Sequence, residues 1–93
     1  MRIIGYIEHP TLKITVFKMD DKLSLKFESG LYEQTYKFRA SNEINDLVHI
    51  QSLVDEFFLQ KVMSDLTQMH RTKMEAMSRF LPEERENEFE EII

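Results

Sequence analysis

The feature that most constrains this chain is a helical pattern over residues 42–81 that contains neither glycine nor proline. Apolar residues recur there every three or four positions, as they do along one face of an α-helix. A single helix of this length would measure roughly 60 Å at 1.5 Å per residue, whereas a strand of eight residues spans only about 27 Å. The helix therefore has more apolar surface than one small sheet can cover.

The first 39 residues predict that sheet. The segments RIIGYIE, TLKITVFKM, KLSLKFE and LYEQTYKFR begin at residues 2, 11, 22 and 31. Each is short enough for a strand and is bounded by residues that favour turns, such as His9-Pro10 and Asp20-Asp21. Sequential short strands joined in this way predict a four-stranded antiparallel meander.

The last two strands also predict a register. If residues 29–30 form a tight turn, Phe27 lies opposite Tyr32 and Lys26 lies opposite Glu33. Apolar side chains and opposite charges then meet across the strands, which stabilises the pairing.

The fold class predicted is α+β, with the meander covered on one face by a long helix and with a short helix or acidic tail after Pro82. A chain of 93 residues forms one domain, divided into the sheet (1–39), the helical segment (42–81) and the tail (82–93). The polar stripe of the helical segment rotates near residues 59–63. Either the helix breaks near residues 61–64 and folds back as a hairpin, or it stays continuous, and the lack of glycine and proline favours continuity.

Homodimer formation is the predicted way to bury the second half of the helix. Two-fold dimers are the commonest oligomers, and a domain this small buries only about 60–65% of its unfolded surface by itself. The predicted interface consists of Val62, Leu66, Met69, Met77 and Phe80. The function predicted is therefore non-enzymatic protein–protein association, first with a second copy, and a further protein partner is left open.

Composition excludes most catalytic chemistry. There is no cysteine, which removes disulfides, thiolate metal sites and cysteine nucleophiles. The two glycines, Gly5 and Gly30, are too few for a phosphate-binding loop. His49 shares a polar stripe with Asp46 and Glu56, but Glu56 lies two turns away and a zinc site needs a fourth ligand. The sequence predicts no catalytic, cofactor or metal site.

The location predicted is the cytoplasm. The apolar run at the N-terminus is too short for a signal peptide, and no run approaches the ~18 apolar residues that span a bilayer. The absence of cysteine suits a reducing compartment.

An alternative function is predicted for the face of the sheet that points away from the helix. Its candidate binding residues are Lys13, Phe17, Lys26, Lys37 and Arg39. Cations beside an aromatic ring are typical of modules that bind single-stranded nucleic acid or a small ligand. Against this, Glu28 and Glu33 share the face, and the chain has a net charge of −5. Nucleic acid is therefore the less favoured partner.

The tail carries the acidity of the protein. Residues 82–93 contain six glutamates and one arginine, and Phe89, Ile92 and Ile93 share one side of a helical spacing. Two interpretations are open. The tail docks in a basic groove of a partner, or it either folds back onto its own sheet with its glutamates facing lysines or frays. The sequence favours the second.

Overall fold

The computed structural model describes residues 1–81 as a four-stranded antiparallel sheet with two helices. The strands are β1 (Arg2–Ile7), β2 (Lys13–Met19), β3 (Lys22–Ser29) and β4 (Tyr32–Arg39), and they lie side by side in sequence order. The helices are α1 (Leu47–Leu53) and α2 (Glu56–Phe80). The predicted α+β meander with a long helix is confirmed, while the short helix predicted after Pro82 lies outside the described residues.

The pairing of β3 with β4 differs from the predicted register. The turn falls at Gly30 and Leu31, so Phe27 lies opposite Gln34 instead of Tyr32. Glycine at the first position of a two-residue loop suits a type II′ turn, and Gly30 has the positive φ of 59° that this turn requires. The shift is two residues along the strand, so every side chain keeps its predicted face.

The helical segment also differs from the prediction. It begins at Leu47 and not at residue 42, and it is interrupted at Val54 and Asp55. The helix is continuous through residues 61–64, where the sequence places the possible hairpin.

Aspartate caps explain both helix starts. The side chain of Asp46 accepts a hydrogen bond from the His49 backbone N–H at 3.0 Å, and Asp55 accepts one from the Phe58 N–H at 2.9 Å. Asp55 has extended backbone angles, so the chain leaves the helical conformation there without glycine or proline. Spacing of apolar residues does not reveal such a break, because the pattern continues on both sides of it.

The core lies between one face of the sheet and the two helices. Its buried side chains alternate along the two central strands and recur along the helices: Leu12, Ile14, Val16, Leu23, Leu25, Phe27, Ile50, Val54, Val62 and Leu66. We call the side of the sheet that packs against the helices its inner face, and the uncovered side its outer face.

A bulge in β1 changes which side chains reach the outer face. Ile3 pairs with Phe17, but the next pair is Gly5 with Val16, so Ile4 is an extra residue in β1. The side chains of Ile3 and Tyr6 are three positions apart and nevertheless lie on the same face.

Gly5 allows α1 to pack closely on β1. A Cβ at this position would overlap the Leu47 side chain, whose Cγ would lie only 3.2 Å away and whose methyl groups would be closer still. The absence of a side chain at Gly5 therefore sets the distance between α1 and the sheet.

We expect Gly5→Ala to lower the free energy of unfolding by about 1–3 kcal/mol, because the added methyl group overpacks the contact with Leu47. Urea denaturation measures the change. The same substitution in a Leu47→Ala background should cost less, since the space is then empty. An equal cost in both backgrounds would show that this contact is not the cause.

Candidate association surface

The end of α2 extends beyond the sheet. The helix has 25 residues and is about 37 Å long at 1.5 Å per residue, whereas the longest strands have eight residues. Its buried residues are Val62 and Leu66, and every residue from 67 to 80 is exposed. We call residues 67–80 the distal segment. It accounts for much of the elongated shape of the described chain, whose principal extents are 57 × 25 × 18 Å.

Tyr32, the first residue of β4, holds the beginning of the distal segment. Its hydroxyl lies 2.6 Å from Nδ1 of His70, and the two rings meet edge to face with centroids 5.5 Å apart. The amine of Lys73 lies 5.4 Å from the centroid of the Tyr32 ring, within the range of a cation–π contact. These contacts fix the point at which α2 leaves the sheet. The sequence does not predict the contact of Tyr32 with His70, because helix spacing gives no sign of a partner 38 residues away.

One stripe of α2 serves both the core and the distal segment. Its members follow the alternating four-and-three spacing of a coiled-coil seam: Val62, Leu66, Met69, Lys73, Ala76 and Phe80. Leu66 is 6% exposed against the sheet, whereas Phe80 is 86% exposed. The stripe that packs on the sheet therefore continues past it, in the same direction, as an uncovered surface. We call Met69, Lys73, Ala76 and Phe80 the distal seam.

The predicted interface residues divide into two groups. Val62 and Leu66 lie in the core of their own subunit, because the first half of α2 packs on the sheet, and they offer no surface to a partner. Met69, Met77 and Phe80 are exposed large apolar side chains of the distal segment. The structure brings these three together along the part of α2 that the sheet does not cover.

The five predicted binding residues of the sheet all lie on the outer face, but their charges are partly neutralised. Lys26 lies 3.2 Å from a carboxylate oxygen of Glu33 and 3.7 Å from one of Glu28. The hydrogen bond with Glu33, together with both charges, raises the pKa of Lys26 above its ordinary value even though burial acts in the opposite direction. Arg39 lies 3.5 Å from Asp21. The face therefore offers an anion fewer free cations than the sequence suggests. The cations of this face that have no ion pair within residues 1–81 are Lys13, Lys22 and Lys37.

The outer face also carries an apolar patch that sequence reasoning missed. It consists of Ile3, Tyr6, Phe17 and Met19. The side chains of Ile3, Tyr6 and Met19 are each about half exposed. Alternation predicts Phe17 and Met19 there, but Ile3 and Tyr6 reach the same face only because of the bulge. We call these four side chains the outer patch.

Histidines do not form a metal centre in the part of the chain that the structure describes. Residues 1–81 contain no group of three or more His, Cys, Asp or Glu side chains placed to bind an ion. Nδ1 of His49 instead accepts a hydrogen bond from the Asn45 backbone N–H at 3.1 Å. Nδ1 of His9 accepts one from the Leu12 N–H, also at 3.1 Å, and so supports the β1–β2 turn.

Comparison with known proteins gives no match for this chain, whether with a family model, a curated protein or a solved structure. Neither α1 nor α2 combines the length and apolar character needed to cross a bilayer.

Tyr36 is a titratable group that packs in the helix–sheet contact. Its ring meets Phe27 and Phe58 edge to face, with centroids 6.0 Å and 5.2 Å away. Its hydroxyl donates a hydrogen bond to Oε1 of Gln34 at 3.0 Å. Burial raises the pKa of the Tyr36 hydroxyl above its ordinary value of 10.0, and the negative charge of Asp65 acts in the same direction.

We expect Tyr36 to make stability fall at high pH. Because the pKa of Tyr36 is higher in the folded protein, the unfolded chain releases this proton first, so the stabilisation is complete below pH about 10 and is lost as the pH rises through the folded value. Lys26 contributes in the same direction. Unfolding free energies measured from pH about 8 to 11 should therefore decline less steeply for Tyr36→Phe than for the unmodified chain. Parallel curves, separated only by a constant offset from the lost hydrogen bond, would contradict this role.

Proposed function

We propose that this chain is a non-enzymatic association protein that forms a homodimer through the distal segment of α2. The observation that carries the proposal is the continuation of one helical stripe from the core, where Val62 and Leu66 are buried, onto the uncovered distal seam. A rigid amphipathic helix end with no sheet beneath it is stabilised when a second apolar helix covers it. The lack of cysteine supports the cytoplasm as the place where this occurs.

The distal seam is self-complementary when two copies pack in opposite directions. If Met69 faces Phe80 of the partner subunit, the same two-fold axis places Lys73 opposite Ala76 of the partner subunit. The large Phe80 then meets a flexible methionine, and the long stem of Lys73 crosses the smallest side chain of the seam. Two-fold symmetry repeats each contact, as it does in a closed dimer.

Phe80 is the anchor of this arrangement. In coiled-coil packing, a side chain inserts into a hole formed by residues of the facing helix. The exposed residues at this level of α2 are Met69, His70 and Lys73. Tyr32 lies beside these residues, because its ring contacts His70 and Lys73 and it lines the open grooves on both sides of α2 at this level. A large aromatic side chain that enters an apolar pocket is the usual form of an interface hot spot.

Lys73 does not oppose this packing. Its amine lies against its own Tyr32 ring, so the charge is directed toward the sheet and the methylene stem is left along the seam.

We expect Phe80→Asp to shift the protein from dimer to monomer, because a charge replaces the anchor and would be desolvated in the hole. Light scattering at micromolar concentration measures the mass. The matched control is Phe57→Asp, since Phe57 is 81% exposed on the same helix but lies about 140° around the axis from Phe80 at 100° per residue.

The control variant should keep the dimeric mass. A monomeric mass for the unmodified chain would overturn the proposal, and an unchanged dimer in Phe80→Asp would remove the distal seam from the interface.

A further inference from the structure

The outer patch leads to a second inference, which rests on the proposed dimer. We propose that the acidic C-terminal segment of each subunit, residues 83–93, binds the outer face of the sheet of the partner subunit. The described structure ends just before this segment, at the end of the helix that would form the dimer.

The outer face has the chemistry of a site for an acidic amphipathic segment. The outer patch provides an apolar stripe along β1 and β2. Beside it lie the cations that have no ion pair within residues 1–81, with Lys13 in β2, Lys22 in β3 and Lys37 in β4, whereas Glu28 and Glu33 are paired with Lys26. An apolar strip beside unpaired lysines favours a ligand with apolar anchors and carboxylates.

Residues 83–93 have the complementary composition. The segment reads EERENEFEEII, with six glutamates and one arginine, so it carries the whole net charge of −5. Its apolar residues, Phe89, Ile92 and Ile93, are grouped at its end. The glutamates of this segment therefore complement the lysines of the outer face, and its apolar residues complement the outer patch.

The dimer geometry directs this segment to the partner. The distal seam faces the side of α2 on which its own sheet lies. The partner's helix, which covers the seam, therefore lies at the level of that sheet. The partner subunit is inverted relative to the first. Each α2 then ends against the partner's sheet, at the end of the strands where β2 begins with Lys13. The inner face of that sheet is covered by the partner's α2, so the outer face is the free one for the continuing chain.

Distances favour the partner's sheet over the chain's own. Phe17 lies about 13 Å along the strand from Lys13 at 3.3 Å per residue. Phe89 is the eighth residue after Leu81, and eight residues span from about 12 Å as a helix to about 28 Å fully extended. On its own subunit the segment would first have to return about 16 Å along α2 to the level of His70, and then pass around the edge of the sheet. That path, about 29 Å plus the thickness of the sheet, exceeds the reach of Phe89.

The size of the helix contact also calls for additional burial. An overlap of about three helical turns is small beside the roughly 1,600 Å² of a standard stable interface. Two C-terminal segments, each on the partner's sheet, would extend the interface on both sides of the helix pair.

The absence of cysteine allows a direct cross-linking test. One chain carries Asn87→Cys in the acidic segment, and a second carries Ser24→Cys, which pairs with Phe17 on the outer face. The two are mixed and oxidised, and linked peptides are identified by mass spectrometry. The matched control replaces Ser24→Cys by Ser64→Cys, an exposed position on α2. A third chain carries both Asn87→Cys and Ser24→Cys, to detect a link within one subunit.

We expect a disulfide between residues 87 and 24 of different chains, with a lower yield at high ionic strength because the recognition is partly electrostatic, and little product with Ser64→Cys. A dimer by light scattering with no 87–24 link, with equal linking to residue 64, or with a link only within the doubly substituted chain would overturn this inference and leave the dimer standing. A monomeric mass would overturn the proposed function itself, and this inference with it.

Discussion

The packing of Val62 and Leu66 against the sheet fixes the direction of everything that follows in α2. Both side chains are buried in the core, and an α-helix transmits the orientation of one turn to the next with little loss. Once these two residues face the sheet, Met69 and Phe80 must face the same way beyond it. The uncovered stripe is therefore a consequence of the core and not an independent surface feature.

The sheet could be predicted from alternation, but its details depended on individual residues. The faces of β2, β3 and β4 follow from period-two patterning, which a shift of two residues leaves unchanged. The register was set instead by Gly30, whose φ of 59° suits the first position of the loop. The helix boundaries were set by Asp46 and Asp55, whose side chains bond to backbone N–H groups three residues on. The spacing of apolar residues does not reveal the turn at Gly30 or the aspartate caps.

The candidate surfaces were predictable to a similar extent. Spacing identified Met69, Met77 and Phe80 on the distal segment, but it assigned Val62 and Leu66 to the same partner because it does not show where the sheet ends. The outer patch was only half predicted, because the bulge in β1 brings two residues with odd spacing to one face. The contact of Tyr32 with His70 joins distant parts of the chain, and one sequence does not reveal such pairs.

Insertions should have different effects before and after the interruption at Val54 and Asp55. A residue inserted before Asp55 lies outside α2, so the cap can begin the helix in the same phase on the sheet. A residue inserted between Leu66 and Met69 would turn the rest of the helix by about 100° and would move Phe80 away from the direction of the core. Relatives of this chain should therefore vary in length in the connection between β4 and α2, while the spacing from Val62 to Phe80 is kept.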